Sequence, residues 1–175
     1  HQAEDLQARI ARWIGTDEPQ STLLLSPPGY GKTTLLREWV RYFSDRGFTA
    51  AIADERSEIA ALADGVPQLA VGRCTDVMEG CSKWQAAVML LKTMSPALLA
   101  LDEITAPEDA KAVSLCTHCG TAVIACAHAA GLDDLRQRPI YRELLALGAF
   151  HQAVIIEKQD GQRVYRMERW EETKC

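Results

Sequence analysis

Thr22-Leu23-Leu24-Leu25-Ser26-Pro27-Pro28-Gly29-Tyr30-Gly31-Lys32-Thr33-Thr34-Leu35-Leu36 decides the fold of this chain. A short apolar run reads as a buried strand. A glycine-rich turn follows, and then a helix that opens on Gly31-Lys32-Thr33. That order is a phosphate-binding loop. Its glycines let backbone N–H groups curl around a polyphosphate, and the helix N-terminus adds a favourable dipole. Pro28, Gly29, Tyr30, Gly31, Lys32, Thr33 and Thr34 are therefore the candidate nucleotide-binding residues. Lys32 would reach the β- and γ-phosphates, and the Thr33 hydroxyl would hold Mg²⁺. The common pattern begins with Gly, where this chain has the small Ser26. A strand–turn–helix joint that binds nothing is the bland alternative.

The second half of such a site lies about seventy residues on, at Leu98-Leu99-Ala100-Leu101-Asp102-Glu103. Four apolar residues bury a strand whose carboxyl end carries two acids. Asp102 is the candidate Mg²⁺ residue and Glu103 the candidate that polarises an attacking water. A strand ending in Asp-Glu is common alone and becomes informative when paired with the loop. Glu55 and Glu58, after the second strand, are rival acids for the same sheet edge, or a solvated charge cluster or helix start. His128, at the end of the strand after Asp102-Glu103, is placed to sense a γ-phosphate, although a lone His is more often structural. Arg56 and Arg73 are candidates to reach a neighbouring subunit's phosphate, or are plain surface arginines.

Around these motifs the chain alternates strands and helices. Residues 1–20 read as a short amphipathic helix (Leu6, Ile10, Trp13, Ile14) followed by a polar turn. Leu36, Trp39, Val40 and Phe43 continue a helix that Gly47 stops. Phe48–Ala53 reads as the second strand, and residues 54–81 as a long loop-rich segment without clear periodicity. Ser82-Lys83-Trp84-Gln85 is a capping box opening a helix to Met94. Ala97–Leu101 is the third strand. Thr105–Glu108 reads as another capping box, on a helix ended by Gly120. Thr121–Cys126 is the fourth strand, and Pro139 to Gly148 brackets a further helix. Phe150–Lys158 and Gln162–Met167 flank Asp160-Gly161, a hairpin. The expectation is an α/β P-loop NTPase fold: a mostly parallel sheet flanked by helices, with an antiparallel C-terminal hairpin. It comprises a single domain over residues 1–175: a lead-in over 1–20, a nucleotide-binding core over 21–150 and the hairpin over 150–168.

The 175 residues suffice for one such domain. A hydrophobic content of 47% with 25% charged residues marks a globular chain. No apolar run approaches the ~20 residues of a membrane-spanning helix, and no stretch reads as a secretory signal. Opening on His1 suggests a piece of something longer. The net charge of −5 argues against nucleic acid as the main partner. Cys116-Thr117-His118-Cys119 has metal-ligand spacing, but no second pair completes a zinc site, so reduced cysteines are expected.

Asp54-Glu55-Arg56-Ser57-Glu58-Ile59-Ala60, Gly65-Val66-Pro67-Gln68, Thr75-Asp76-Val77-Met78, Met94-Ser95-Pro96 and Leu101-Asp102-Glu103-Ile104 together resemble the stage III sporulation AA family of endospore-forming bacteria. The likeness runs in order from about Leu23 to Phe150. That family is similar to the hexameric ATPases of type II and type IV secretion. The resemblance implies a RecA-like core that binds ATP and Mg²⁺. It also implies a homo-oligomer, with a hexamer as the model, and membrane-protein partners in the channel between mother cell and forespore. The implied location is the cytoplasmic face of the mother-cell membrane. In secretion ATPases an acidic box and a histidine box line the site, and Glu55 and Glu58 fall at the first and His128 at the second. Two departures stand out. Ala129 replaces the glycine that usually follows His128, and Cys74 separates Arg73 from Thr75. A small-molecule or nucleoside kinase, an ATP-binding assembly platform and a DNA-bound helicase loader are the rival functions.

Overall fold

A computed structural model describes residues 2–170. Its centre is a seven-stranded sheet in the order β5-β2-β6-β7-β1-β8-β9. The strands are β1 (Thr22–Ser26), β2 (Ala50–Asp54), β5 (Thr75–Glu79), β6 (Leu98–Glu103), β7 (Ala122–His128), β8 (Gln152–Gln159) and β9 (Gln162–Arg169). A separate two-stranded hairpin pairs β3 (Leu62–Ala63) with β4 (Val66–Pro67). All neighbours in the large sheet run parallel except β8 and β9. The expected fold class therefore holds.

Strand periodicity of two sorts the apolar side chains onto two faces. Leu23, Leu25, Leu99 and Leu101 join one core cluster, whereas Leu24, Leu98 and Ala100 join the other. The first cluster is covered by α3 (Lys83–Met94), α4 (Pro107–His118) and α6 (Pro139–Ala146), the second by α1 (Gln2–Trp13) and α2 (Lys32–Ser44). The lead-in helix docks as its apolar stripe predicts. Leu6 and Ile10 are buried, and Trp13 stacks on Trp39 with ring centroids 6.2 Å apart.

Two local expectations are corrected, and one element is added. Residues 54–81 are not all loop: β5 adds a parallel edge strand to β2, and β3–β4 forms a small hairpin. The first helical turn of α4 is not capped by a Thr105–Glu108 box. Ala106 is the capping position, and the Asp109 carboxylate accepts from the N–H groups of Thr105 (2.9 Å) and Ala106 (3.0 Å). A further short helix, α5 (Leu132–Arg136), lies in the segment after β7. The Ser82 capping box is present as expected, with both of its hydrogen bonds.

Candidate nucleotide-binding site

Because β1, β2, β6, β7 and β8 are parallel, their carboxyl ends meet at one edge of the sheet. Open α/β sheets bind ligands at that edge. Ser26 closes β1 and pairs in register with His128 at the end of β7. The β7 strand lies between β1 and β6, so His128 separates the phosphate loop from Asp102 and Glu103.

The loop needs its glycines at two points. Gly29 (φ +81°) and Gly31 (φ +87°) are left-handed, a conformation costly for residues with a Cβ. Gly31 also caps α2 and leaves the helix N-terminus facing the edge. Lys32 is buried, and its ammonium donates to the carbonyls of Ser26 (3.1 Å) and Pro27 (3.4 Å). Burial pushes the Lys32 pKa down, opposed by the negative potential of Cys126, Glu103 and Asp102. A buried cation in the first turn of a helix is chemically suited to an anion. Ser26 is itself fully buried, its hydroxyl donating to Pro27 O at 2.8 Å, so a small residue satisfies this position.

Adjacent residues of a regular strand point to opposite faces. The register of β6 against β7 shifts between Leu101 and Glu103, a bulge that re-aims the strand end. Asp102 and Glu103 consequently line the same cleft, of about 260 Å³, with Pro28, Gly29, Gly31, Lys32 and Thr33. Glu103 Oε1 lies 3.3 Å from His128 Nδ1. Arg56, Glu58 and His128 also line this cleft in their own chain. The structure thus gathers most of the residues singled out in the sequence.

Four of them lie apart from that lining. Glu55 is bound to a lining residue, Lys83, at 2.7 Å. Tyr30 faces the hairpin, with the Lys158 ammonium 4.5 Å from its ring centre. Thr34 follows in the first turn of α2. Arg73 is exposed and precedes β5, at the amino edge of the sheet. Cys116 and Cys119 do not converge as metal ligands would: Cys116 is buried, with its thiol pushed up to about 12 by burial, whereas Cys119 is exposed.

Two residues with consequences for the site were passed over in the sequence. Lys83 reads there only as part of a capping box. It is a buried cation in the cleft wall, held by Glu55 and lying 3.9 Å from Asp109. Asp54 reads as one member of a charged cluster. Its fully buried carboxylate accepts from the N–H groups of Glu58 (2.9 Å), Ile59 (3.1 Å) and Ala60 (2.9 Å), which fixes the turn carrying Glu55, Arg56 and Glu58.

Comparison with known proteins places the chain in a family and a fold. The family model described as "Sporulation stage III, protein AA" matches residues 1–167. Stage III sporulation protein AA of Bacillus subtilis (strain 168) is 36% identical over 146 residues, covering 81% of this chain and 48% of that protein. The chain therefore spans about half the length of that relative. The VirB11 ATPase of the Brucella suis type IV secretion system, solved in complex with sulphate, superposes with a TM-score of 0.65 at 15% identity. That match covers 95% of this chain and 51% of the other. The Legionella pneumophila ATPase DotB gives 0.63 at 16% identity, over 92% and 47%. These likenesses establish a RecA-like fold of the secretion-ATPase kind. The chain belongs to the stage III sporulation protein AA family.

Proposed function

We propose that this chain is the Mg²⁺-dependent ATP-hydrolysing unit of a ring-forming motor that serves the sporulation channel. The bulge that brings Asp102 and Glu103 onto one cleft opposite Lys32 and Thr33 carries this assignment. The Thr33 hydroxyl and the Asp102 carboxylate are hard oxygen donors, which suits Mg²⁺. When bound there, Mg²⁺ would neutralise charge on the β- and γ-phosphates.

The protein's own groups divide the remaining work. The loop amides and Lys32 bind and orient the polyphosphate. Glu103 takes a proton from the attacking water as its oxygen bonds to the γ-phosphorus and the bond to the β,γ-bridging oxygen breaks. ADP and phosphate leave. His128, beside Glu103, orients that carboxylate and meets the γ-phosphate. Glu55 is the reserve acid, held back by Lys83. Arg56 acts within its own cleft, whereas Arg73, at the far edge, is available to a neighbouring copy. That division favours a homo-oligomer, with a hexamer as the model. The secretion-type fold supports action at the cytoplasmic face of the mother-cell membrane on channel proteins. Among the described residues no helix is long and apolar enough to cross a membrane.

A calorimetric titration with ATP, with and without Mg²⁺, tests the assignment. Binding should depend on Mg²⁺ and be lost in Lys32→Ala. Undiminished affinity in that variant would refute the phosphate-loop assignment.

A further inference from the structure

Strand order gives the bound nucleotide a direction. The γ-phosphate must lie towards Asp102 and Glu103 on β6, which is reached from β1 across β7. The nucleoside end must then leave on the opposite side of β1, over β8 and β9. A second cavity of about 430 Å³ opens there, between α1 and the β8–β9 hairpin, lined by Leu6, Arg9, Lys158, Arg163 and Tyr165. That volume falls within the ~300–1,000 Å³ typical of small-ligand pockets.

Two observations connect this cavity with the loop. The Arg163 guanidinium lies so close to Gly31 that a Cβ there would meet it at 3.0 Å. The Lys158 ammonium lies over the ring of Tyr30, itself a loop residue. Lys158 and Arg163 are also direct cross-strand partners on the hairpin. Like charges placed opposite each other destabilise a hairpin. Among the described residues no carboxylate pairs with either of them. An anion between them would turn that repulsion into binding. Beside the two hairpin cations, Arg9 lies over the ring of Tyr165 (4.9 Å to the ring centre), and Leu6 completes the wall.

We infer that this cavity receives the nucleoside of the ATP held by the phosphate loop, with Lys158 and Arg163 at the α-phosphate and the Tyr165–Leu6 wall against the base. The inference rests on the nucleotide-binding function proposed above. It assigns the hairpin, and the helix that precedes the core, to nucleotide recognition.

Photolabelling with 8-azido-ATP, followed by peptide mapping, locates the base directly. ATP-competed label should fall within residues 6–13 or 158–165. The exposed double variant Lys158→Gln/Arg163→Gln should keep its fold and bind ATP about tenfold more weakly. Competed label elsewhere, no competed label despite ATP binding, or full ATP affinity in the double variant would overturn the cavity assignment and leave the loop assignment standing. ATP binding that survives Lys32→Ala would instead remove the loop assignment, and the cavity assignment with it.

Discussion

Replacing Asp54 with Ala should damage this protein more than replacing any exposed acid at the site. Asp54 ends β2 and is fully buried. Its two oxygens satisfy three backbone N–H groups, those of Glu58, Ile59 and Ala60, and Ile59 is shared between both oxygens (3.1 and 3.2 Å). Ala leaves those donors without their acceptor. Leaving a buried donor unsatisfied costs about 1–3 kcal/mol. Glu58 is exposed, so water can replace its bond. Ile59 and Ala60 are buried and cannot recover theirs so easily. The expected loss is about 3–5 kcal/mol. At about 2–4 °C per kcal/mol for a chain of this size, the melting temperature should fall by roughly 6–20 °C. Asp54→Asn keeps one acceptor oxygen and sets an amide NH₂ against the remaining donors, so it should fall between Ala and the parent. Urea unfolding followed by circular dichroism measures the series. A loss below about 1 kcal/mol for Asp54→Ala would refute the idea that this carboxylate holds the turn.

Lys32 offers the opposite case. Its folded pKa is depressed by burial, so its charge opposes folding at pH 7 in the absence of nucleotide. That penalty fades as pH rises through the depressed folded value towards the ordinary 10.5. Lys32→Met should therefore melt no lower than the parent at pH 7, and its advantage should shrink towards pH 10; a lower melting point at pH 7 would contradict this. Thiol reactivity gives an independent check on the core. Cys74 and Cys119 are exposed and should react quickly with a disulfide reagent at pH 8, whereas Cys116, its thiol raised to about 12, should react only on unfolding. Cys126, also raised by burial, should stay silent although it borders the cleft. Rapid modification of Cys116 in the folded protein would contradict the packing of α4 on the sheet.

Much of this architecture is legible in the sequence because its elements carry strong, local instructions. Leu23–Leu25 and Leu98–Leu101 are continuous apolar runs, as strands buried on both faces require. Asp160-Gly161 specifies the hairpin turn, and both residues have positive φ. The β5 strand was hidden for the same physical reason that it sits at the edge. It is only half covered, and Thr75-Asp76-Val77-Met78-Glu79 lacks an apolar run. At the candidate site, the loop residues and the two acids that line one cleft were singled out from spacing alone. The bulge after Leu101 could not, because it arises from pairing with β7. Lys83 and Asp54 were obscured because their roles depend on partners distant in sequence or on backbone N–H groups, which carry no residue code.

Steady-state ATP hydrolysis against protein concentration, with Mg²⁺, for the parent and Glu103→Gln, tests the central claim most directly. The predicted result is a specific activity that rises with concentration in the parent, and a Glu103→Gln variant that still binds ATP but turns over at least about a hundredfold more slowly. Parent-like hydrolysis by Glu103→Gln would contradict the assignment of Glu103 as the base at this sheet edge.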